Sequence, residues 1–170
     1  TSRSDDATTL SSGWVRDLLV SSDGRLWIGT THGLDRLDPD TGEITRIPVQ
    51  LNDGSRADAG PVSYASIIED VNGDIYVAAL DPVRPLRWRP GRATLEPVPV
   101  ADGEAAGPAH SSALPLRDRA GRLWLVRPDG LWLLNRERDR FERLLATDVP
   151  GAGRLRGHAA VAGPGDGITL

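Results

Sequence analysis

One short segment recurs along the chain at a nearly constant spacing. It reads DGRLWIG from Asp23, NGDIYVA from Asn72, AGRLWLV from Ala120 and, in shortened form, DGITL from Asp166. Its glycines stand at positions 24, 73, 121 and 167 and are therefore 49, 48 and 46 residues apart. Such a period is typical of repeat architectures, in which each copy is one supersecondary unit that packs on its neighbours.

Each copy contains four short strand candidates, which in the first copy lie near 15–20, 25–30, 33–38 and 43–48. Asp-Gly or Asn-Gly, a strong hairpin signal, joins the first two strands in two copies, and DPDTG or RPG joins the last two. The stretch 135–146 could pass for an amphipathic helix, but the repeat places strands there. The pattern predicts an all-β fold, a β-propeller fragment of about three and a half four-stranded antiparallel blades.

The second strand of each copy is continuously apolar. Its centre reads LWI, IYV or LWLV, without the alternation that a strand with one wet face would show. A central blade strand is covered on both faces by neighbouring blades, which explains such a run. We therefore expect Trp27, Tyr76 and Trp124 to pack between blades, although an aromatic side chain could also stack on a ligand.

The repeat divides the chain into one partial propeller domain. Its parts are a linker or outer strand at 1–13, blades at 14–49, 63–100 and 111–146, and the start of a fourth blade at 157–170.

The incomplete fourth copy predicts that the chain does not form a closed ring by itself. An open stack of blades leaves an apolar face and unpaired strand edges exposed. The chain also lacks methionine, even at position 1, which is expected of a processed or excised piece. We expect the rest of a larger propeller, or a second copy of the chain, to close the ring.

The first copy resembles the two-component regulator propeller repeat. The third copy keeps GRLWLV and DGLWLL but lacks the Gly-Thr, and the second keeps only NGDIYVA and the general shape. The resemblance extends over about residues 14–146. The matching residues of the first copy are Asp23, Gly24, Leu26, Trp27, Ile28, Gly29, Thr30, Gly33, Leu34 and Arg36.

This resemblance implies a role rather than a reaction. Repeats of this family form extracytoplasmic sensor domains of membrane-bound bacterial receptors, whose output is a histidine kinase, a hybrid kinase or a diguanylate cyclase. Their ligands are often oligosaccharides. The resemblance therefore implies a periplasmic or other extracytoplasmic location and a small-molecule or oligosaccharide ligand. The motif contains no catalytic residue that could be transferred to this chain.

Composition excludes several other classes of function. The net charge is −4 and the pI is about 5.3, which argues against nucleic-acid binding, because that requires a basic face. There is no cysteine, and therefore neither a disulfide framework nor thiolate chemistry. No apolar run approaches the ~18 residues of a membrane span, so this segment is not expected to insert into a membrane.

Neither a metal site, a cofactor site nor a catalytic residue is predicted. The segment DPDTGE at 38–43 is similar to a calcium loop, but its glycine comes one place early and position 12 is Val49, so we interpret it as a turn. His32, His110 and His158 have no metal-ligand spacing and are expected in loops. No Gly-x-Ser-x-Gly elbow occurs.

A ligand is expected at one rim of the propeller. The loops from second to third strands, near 30–33, 79–85 and 127–130, lie on the same side as the long connections from one blade to the next, near 49–62, 100–111 and 146–157. Long loops on a rigid scaffold are where binding residues concentrate. The polar candidates for ligand binding in these loops are His32, Asp81, Arg84, His110 and Arg127.

Three hypotheses of function follow. The first is a non-catalytic ligand-sensing domain outside the cytoplasm. The second is a propeller-scaffold enzyme, such as a lyase that uses a rim histidine with a carboxylate. The third is a platform for protein interaction.

Overall fold

In this computed structural model the described residues are 9–50, 56–57, 64–80, 83–101, 114–127, 130–144, 161–162 and 168–169. Every regular element within these ranges is a β-strand, and none of the described residues is helical. The all-β prediction is therefore confirmed.

The strands form three four-stranded antiparallel sheets and two hairpins, all with neighbours in chain order. The first sheet contains β1 (Val15–Val20), β2 (Leu26–Thr30), β3 (Leu34–Leu37) and β4 (Ile44–Arg46). A hairpin of β5 (Val49–Gln50) and β6 (Arg56–Ala57) follows. The second sheet contains β7 (Tyr64–Glu69), β8 (Ile75–Leu80), β9 (Val83–Trp88) and β10 (Glu96–Pro97). The third contains β11 (Leu114–Arg117), β12 (Leu123–Arg127), β13 (Gly130–Asn135) and β14 (Arg140–Arg143). The last hairpin contains β15 (Val161–Ala162) and β16 (Ile168–Thr169).

The repeated glycine closes the turn between the first and second strands of each sheet. Gly24, Gly73 and Gly121 have φ angles of 82°, 80° and 77°. Side chains other than glycine rarely adopt this left-handed conformation, which explains why the glycine recurs in every copy. We call the side of the sheets that carries these turns the turn side, and the opposite side, where β2 meets β3, the loop side.

Two apolar clusters lie between successive sheets. The first joins the first and second sheets around Trp27 and Trp88, which are 1% and 6% exposed, with ring centroids 4.8 Å apart. The second cluster joins the second and third sheets around Tyr76 and Phe141, whose rings meet edge to face at 6.4 Å. Trp124 occupies the position in β12 that Trp27 and Tyr76 occupy in β2 and β8, and it is 9% exposed.

Backbone hydrogen bonds also join successive sheets at their outer edge. Leu95 donates its N–H to Pro48 O and accepts a hydrogen bond from the N–H of Gln50. Phe141 makes the equivalent pair with Pro99 O and the N–H of Ala101. The segment that leaves the fourth strand of one sheet thus runs parallel to the fourth strand of the next. These backbone hydrogen bonds, together with the packing of side chains, fix the spacing of the sheets.

Ion pairs complete the contact between the second and third sheets. Arg87 is 4% exposed, and its guanidinium contacts Asp139 of the third sheet and Glu96 of its own sheet. Asp70, buried at the end of β7, pairs with Arg136 at 2.7 Å. The buried charges therefore have partners, as their desolvation requires.

The structure corrects the extent of the two loops predicted near 79–85 and 127–130. Arg84 and Arg127 are not in loops, because Arg84 pairs with Ala79 in the β8–β9 ladder and Arg127 with Gly130 in the β12–β13 ladder. The additional residues of the second copy extend β8 and β9 until only residues 81–82 separate them. Residues 135–144 end one strand, turn and form β14, whereas 145–146 lie outside the described residues.

Candidate functional site

A cluster of polar residues and one tryptophan lies on the loop side of the first sheet. We call Ser12, Trp14, Thr31 and His32 the rim site. Thr31 donates its N–H to Trp14 O at 3.1 Å, and the hydroxyls of Ser12 and Thr31 are 2.9 Å apart. The segment that precedes β1 is thereby joined to the loop between β2 and β3.

A buried carboxylate holds Ser11, the residue that precedes the rim site in the chain. Asp35 is fully buried, and its Oδ2 accepts hydrogen bonds at 2.7 Å from both the N–H and the hydroxyl of Ser11. The guanidinium of Arg46 lies 3.5 Å from Asp35 Oδ1 and balances its charge. The position of Ser11 is therefore fixed by the interior of the sheet.

The loop that carries His32 is held in the same way. The Thr30 hydroxyl lies 2.8 Å from the Ser11 hydroxyl and 2.9 Å from Gly33 O, and it accepts the N–H of His32 at 3.1 Å. A Cβ at Gly33 would come within 2.9 Å of Ser11 Oγ, so the packing of the Ser11 side chain against residue 33 favours glycine there. The rim site is thus preorganised.

Two ring side chains of the rim site face solvent. Trp14 is 78% exposed, and His32 is exposed as well. The Nδ1 of His32 lies 2.9 Å from the Thr31 hydroxyl, so Nε2 is the ring nitrogen that a ligand can use. An exposed indole can stack on an apolar ring face of a ligand, and the hydroxyl and imidazole groups of the adjoining loop can hydrogen-bond the ligand's polar groups.

Of the five predicted ligand-binding residues, only His32 has a described side chain at the rim. Asp81 and His110 lie outside the described residues, as does His158. For Arg84 and Arg127 the structure describes the backbone alone, within strands. Whether any of these residues approach His32 stays a prediction.

Trp14 was missed by reasoning from the sequence, although a signal was present. In the other two copies the aligned positions hold Ser63 and Ser111. A large aromatic residue that replaces serine at one copy of a repeat has no structural role common to all copies. A residue that departs from the repeat in this way is a candidate for a function specific to the first blade.

The acidic turn at 38–43 is organised by its own side chains. Asp38 Oδ1 accepts the backbone N–H groups of Asp40 and Thr41 at 3.0 and 3.4 Å, and Gly42 adopts φ 73°. This geometry caps a hairpin between β3 and β4. Among the described residues, no group of three or more potential ligands is placed to hold a metal ion.

A cavity of about 250 Å³ lies on the turn side, between the first and second sheets. Its polar lining is largely engaged, because Ser22 donates its N–H and hydroxyl to Glu69, and Asp23 pairs with Arg25. Its apolar lining consists of Trp27, Ile75, Trp88 and Pro90. These hydrogen bonds join the two sheets, so the rim site is the better ligand candidate.

A family model matches a short segment near the beginning of the described residues. Residues 9–32 match the model described as two component regulator propeller. This range contains β1, β2 and all four residues of the rim site. Comparison with curated proteins gives no match to this chain.

Several solved structures share the fold. The extracellular domain of a putative hybrid two component system from B. thetaiotaomicron superposes with a TM-score of 0.68 at 15% identity, over 94% of this chain and 20% of that one. A streptogramin B lyase gives a TM-score of 0.56 at 19% identity, over 79% of this chain and 41% of that one. Virginiamycin B lyase from Staphylococcus aureus gives 0.58 at 12% identity, over 88% and 44%.

These similarities show the fold, which is that of a β-propeller. The chain covers 20% of the length of the two component system domain, and 41% and 44% of the lengths of the two lyases. Within the described residues there is no helix of the length and hydropathy needed to cross a membrane.

Proposed function

We propose that this chain, which carries a two component regulator propeller repeat in a β-propeller fold, is a ligand-sensing domain of a bacterial signal-transduction receptor. It acts outside the cytoplasm, is not itself catalytic, and passes its signal to a histidine kinase, hybrid kinase or diguanylate cyclase output. The observation that carries this proposal is the preorganised rim site with an exposed tryptophan. The match at residues 9–32 and the likeness to extracellular domains of two component systems support it.

The chemistry of the rim site favours an oligosaccharide as the ligand. A sugar ring has an apolar face of C–H groups and an edge of hydroxyls, which suits an exposed indole at Trp14, whose backbone is hydrogen-bonded to the loop of Thr31 and His32. The sheet beneath the site holds it in position, so little conformational entropy is lost on binding. Its hydroxyls can accept as well as donate hydrogen bonds, as sugar hydroxyls require.

Removal of the indole is expected to weaken glycan binding without affecting the fold. A screen of the purified chain against a broad glycan library identifies the ligand, and calorimetric titration then gives its affinity. Trp14→Ala should weaken binding by about tenfold or more, since an aromatic side chain that a ligand covers contributes at least that much to the affinity. Trp14→Phe should retain part of the affinity, and His32→Ala should lose a hydrogen bond.

Val71→Ala is the matched control, because Val71 is 61% exposed but lies in a turn on the opposite side of the second sheet. Its affinity should equal that of the unchanged chain. Absence of binding to any glycan, or equal affinities for Trp14→Ala and Val71→Ala, would contradict the proposal.

A lyase activity is the second candidate, because a streptogramin B lyase and virginiamycin B lyase share the fold. A further structure of virginiamycin B lyase is that of a catalytically inactive variant with quinupristin. His32 is the described histidine at the rim of this chain, and its exposed ring could transfer a proton. Incubation of the chain with quinupristin, followed by mass spectrometry, tests this. Turnover that His32→Ala abolishes would replace the sensor proposal.

A further inference from the structure

The cavity between the first and second sheets, which we call the turn-side cavity, can be compared with the matching place between the second and third sheets. Ser21 and Asp70 are equivalent, because each donates its N–H to the residue four places later and accepts the N–H of the repeated glycine. Pro90 and Arg136 are equivalent as well, because each lies three residues after the strand partner of the repeated aromatic residue. The two junctions between sheets therefore differ in the side chains at matching places.

The chain's own side chains fill the junction of the second and third sheets. The guanidinium of Arg136 extends across it, pairs with the buried carboxylate of Asp70 at 2.7 Å and donates to Gly121 O at 3.2 Å. Val71 packs closely beside this ion pair, since a Cβ at Gly121 would come within 2.8 Å of Val71 Cγ1. A guanidinium and an apolar side chain thus occupy this junction.

The junction of the first and second sheets lacks this ion pair. Ser21 and Pro90 stand in the places of Asp70 and Arg136, and both line the turn-side cavity of about 250 Å³. Neither a hydroxyl nor a pyrrolidine ring replaces the two charged groups. The space that a guanidinium occupies in one junction is therefore left open in the other.

The turn-side cavity is acidic, because its lining contains the carboxylates of Asp23 and Glu69 and no basic residue. Asp23 pairs with Arg25 at 2.8 Å. Glu69 accepts hydrogen bonds from the N–H and the hydroxyl of Ser22 but forms no ion pair within the described part of the chain. Glu69 is also partly buried, so water screens its charge incompletely and a cation beside it is favoured.

We propose that the turn-side cavity is a second binding site, separate from the rim site, which takes a guanidinium group on a short aliphatic stem. The group pairs with Glu69 as Arg136 pairs with Asp70 in the other junction. A carboxylate has about four acceptor sites, so Glu69 retains capacity beside its bonds from Ser22. The apolar lining receives the stem, and the planar guanidinium meets the two carboxylate oxygens with parallel N–H donors.

Titration with N-acetyl-arginine amide, followed by NMR of the indole and backbone N–H groups, tests the site. The guanidinium is the only charged group of this probe. The N–H signals of Ser22, Trp27 and Trp88 are expected to shift along a saturating curve. N-acetyl-citrulline amide, which has the same shape without the charge, should leave these signals in place.

The guanidinium can belong to a free small molecule or to an arginine of a partner polypeptide. A Gly-Arg-Gly peptide with blocked ends distinguishes the two sources. Binding equal to or tighter than that of N-acetyl-arginine amide indicates an arginine within a polypeptide, whereas weaker binding indicates a free guanidinium compound.

Glu69→Gln preserves the size of the side chain and an acceptor for Ser22 but removes the charge. It should raise the dissociation constant of N-acetyl-arginine amide at least tenfold, because a hydrogen bond between charged groups contributes about that much. Glu137→Gln is the matched control, since it removes the same charge from an exposed turn of the third sheet and should leave the constant unchanged. Trp14→Ala should also leave it unchanged, because the rim site lies on the loop side.

Pro90→Arg gives the second sheet the residue that the third sheet has at this place. The introduced guanidinium should fill the turn-side cavity from within the chain, so that N-acetyl-arginine amide binds at least tenfold more weakly. Absence of any shift in the unchanged chain, or equal shifts with the arginine and citrulline probes, overturns the proposal. Unchanged affinity in both Glu69→Gln and Pro90→Arg overturns it as well.

Discussion

Replacement of Trp27 by alanine is expected to lower the free energy of unfolding by about 4 kcal/mol. Trp27 is 1% exposed, and its ring packs 4.8 Å from that of Trp88 in the adjacent sheet. Its Nε1 donates to Ser21 Oγ at 3.1 Å. The substitution therefore removes apolar burial and leaves a cavity at the contact between two sheets, where neither sheet can collapse independently.

Urea denaturation followed by circular dichroism measures this loss. Trp14→Ala is the control, because it deletes the same side chain at a position that is 78% exposed, and it should change the free energy of unfolding by less than about 0.5 kcal/mol. Trp27→Phe should fall between the two. Equal effects of Trp27→Ala and Trp14→Ala would show that the packing between sheets does not stabilise this fold.

The fold could be predicted from the sequence because its signals are local and repeated. The Asp-Gly turn and the apolar run of the first copy predicted strands near 15–20 and 25–30, and β1 and β2 occupy 15–20 and 26–30. Each later copy repeated the same signals, which also excluded a helix over residues 135–144. Because the same short pattern recurs, the strands could be predicted without information on contacts between distant residues.

The candidate site was predicted less completely, because it depends on exposure and on strand length. His32 was expected at the loop side, and it is exposed there. Trp14 was not expected, because its signal, serine at the aligned positions 63 and 111, appears only when the copies are compared at this position. Arg84 and Arg127 were assigned to loops because the turn signal gives the place of a hairpin but not how far its strands continue.

The hydrogen bonds at the outer edges could not be derived from the sequence either. Pairing of residues 48–50 with Leu95 depends on the placement of two sheets relative to each other. The apolar pattern indicates that sheets pack together, but it does not specify which backbone groups meet.

Replacement of Asp118 by alanine is expected to cost about 3 kcal/mol. Its side chain is 1% exposed, and the residue directly follows β11 at the turn side. The carboxylate accepts Trp124 Nε1–H at 2.9 Å, the Arg122 N–H at 2.9 Å and Arg122 Nε–H at 2.6 Å. Without it, a buried indole N–H and a backbone N–H lose their acceptor.

Ser21→Ala provides the comparison at the equivalent turn of the first sheet. There a neutral hydroxyl accepts the indole N–H of Trp27, so the loss should be near 1 kcal/mol, as for a typical neutral hydrogen bond. The two variants are compared by urea denaturation at pH 7. A smaller loss for Asp118→Ala than for Ser21→Ala would contradict the role assigned to the carboxylate.

The contribution of Asp118 is also expected to depend on pH. Burial by itself would raise the pKa of this carboxyl, but the hydrogen bonds from Trp124 and Arg122 outweigh it and hold the pKa below its usual value. An aspartate with a lowered pKa in the folded chain stabilises the fold fully above its unfolded pKa of about 3.9, and the stabilisation is lost as the pH falls through the lowered pKa.

The difference in free energy of unfolding between the unchanged chain and Asp118→Asn should therefore be constant from about pH 6 to pH 8 and shrink below about pH 4. Asp118→Asn keeps the shape of the side chain but presents an amide N–H₂ to donors, so it isolates the charge from the packing. A difference that is as large at pH 3 as at pH 7 would mean that the ionised carboxylate is not what holds this turn together.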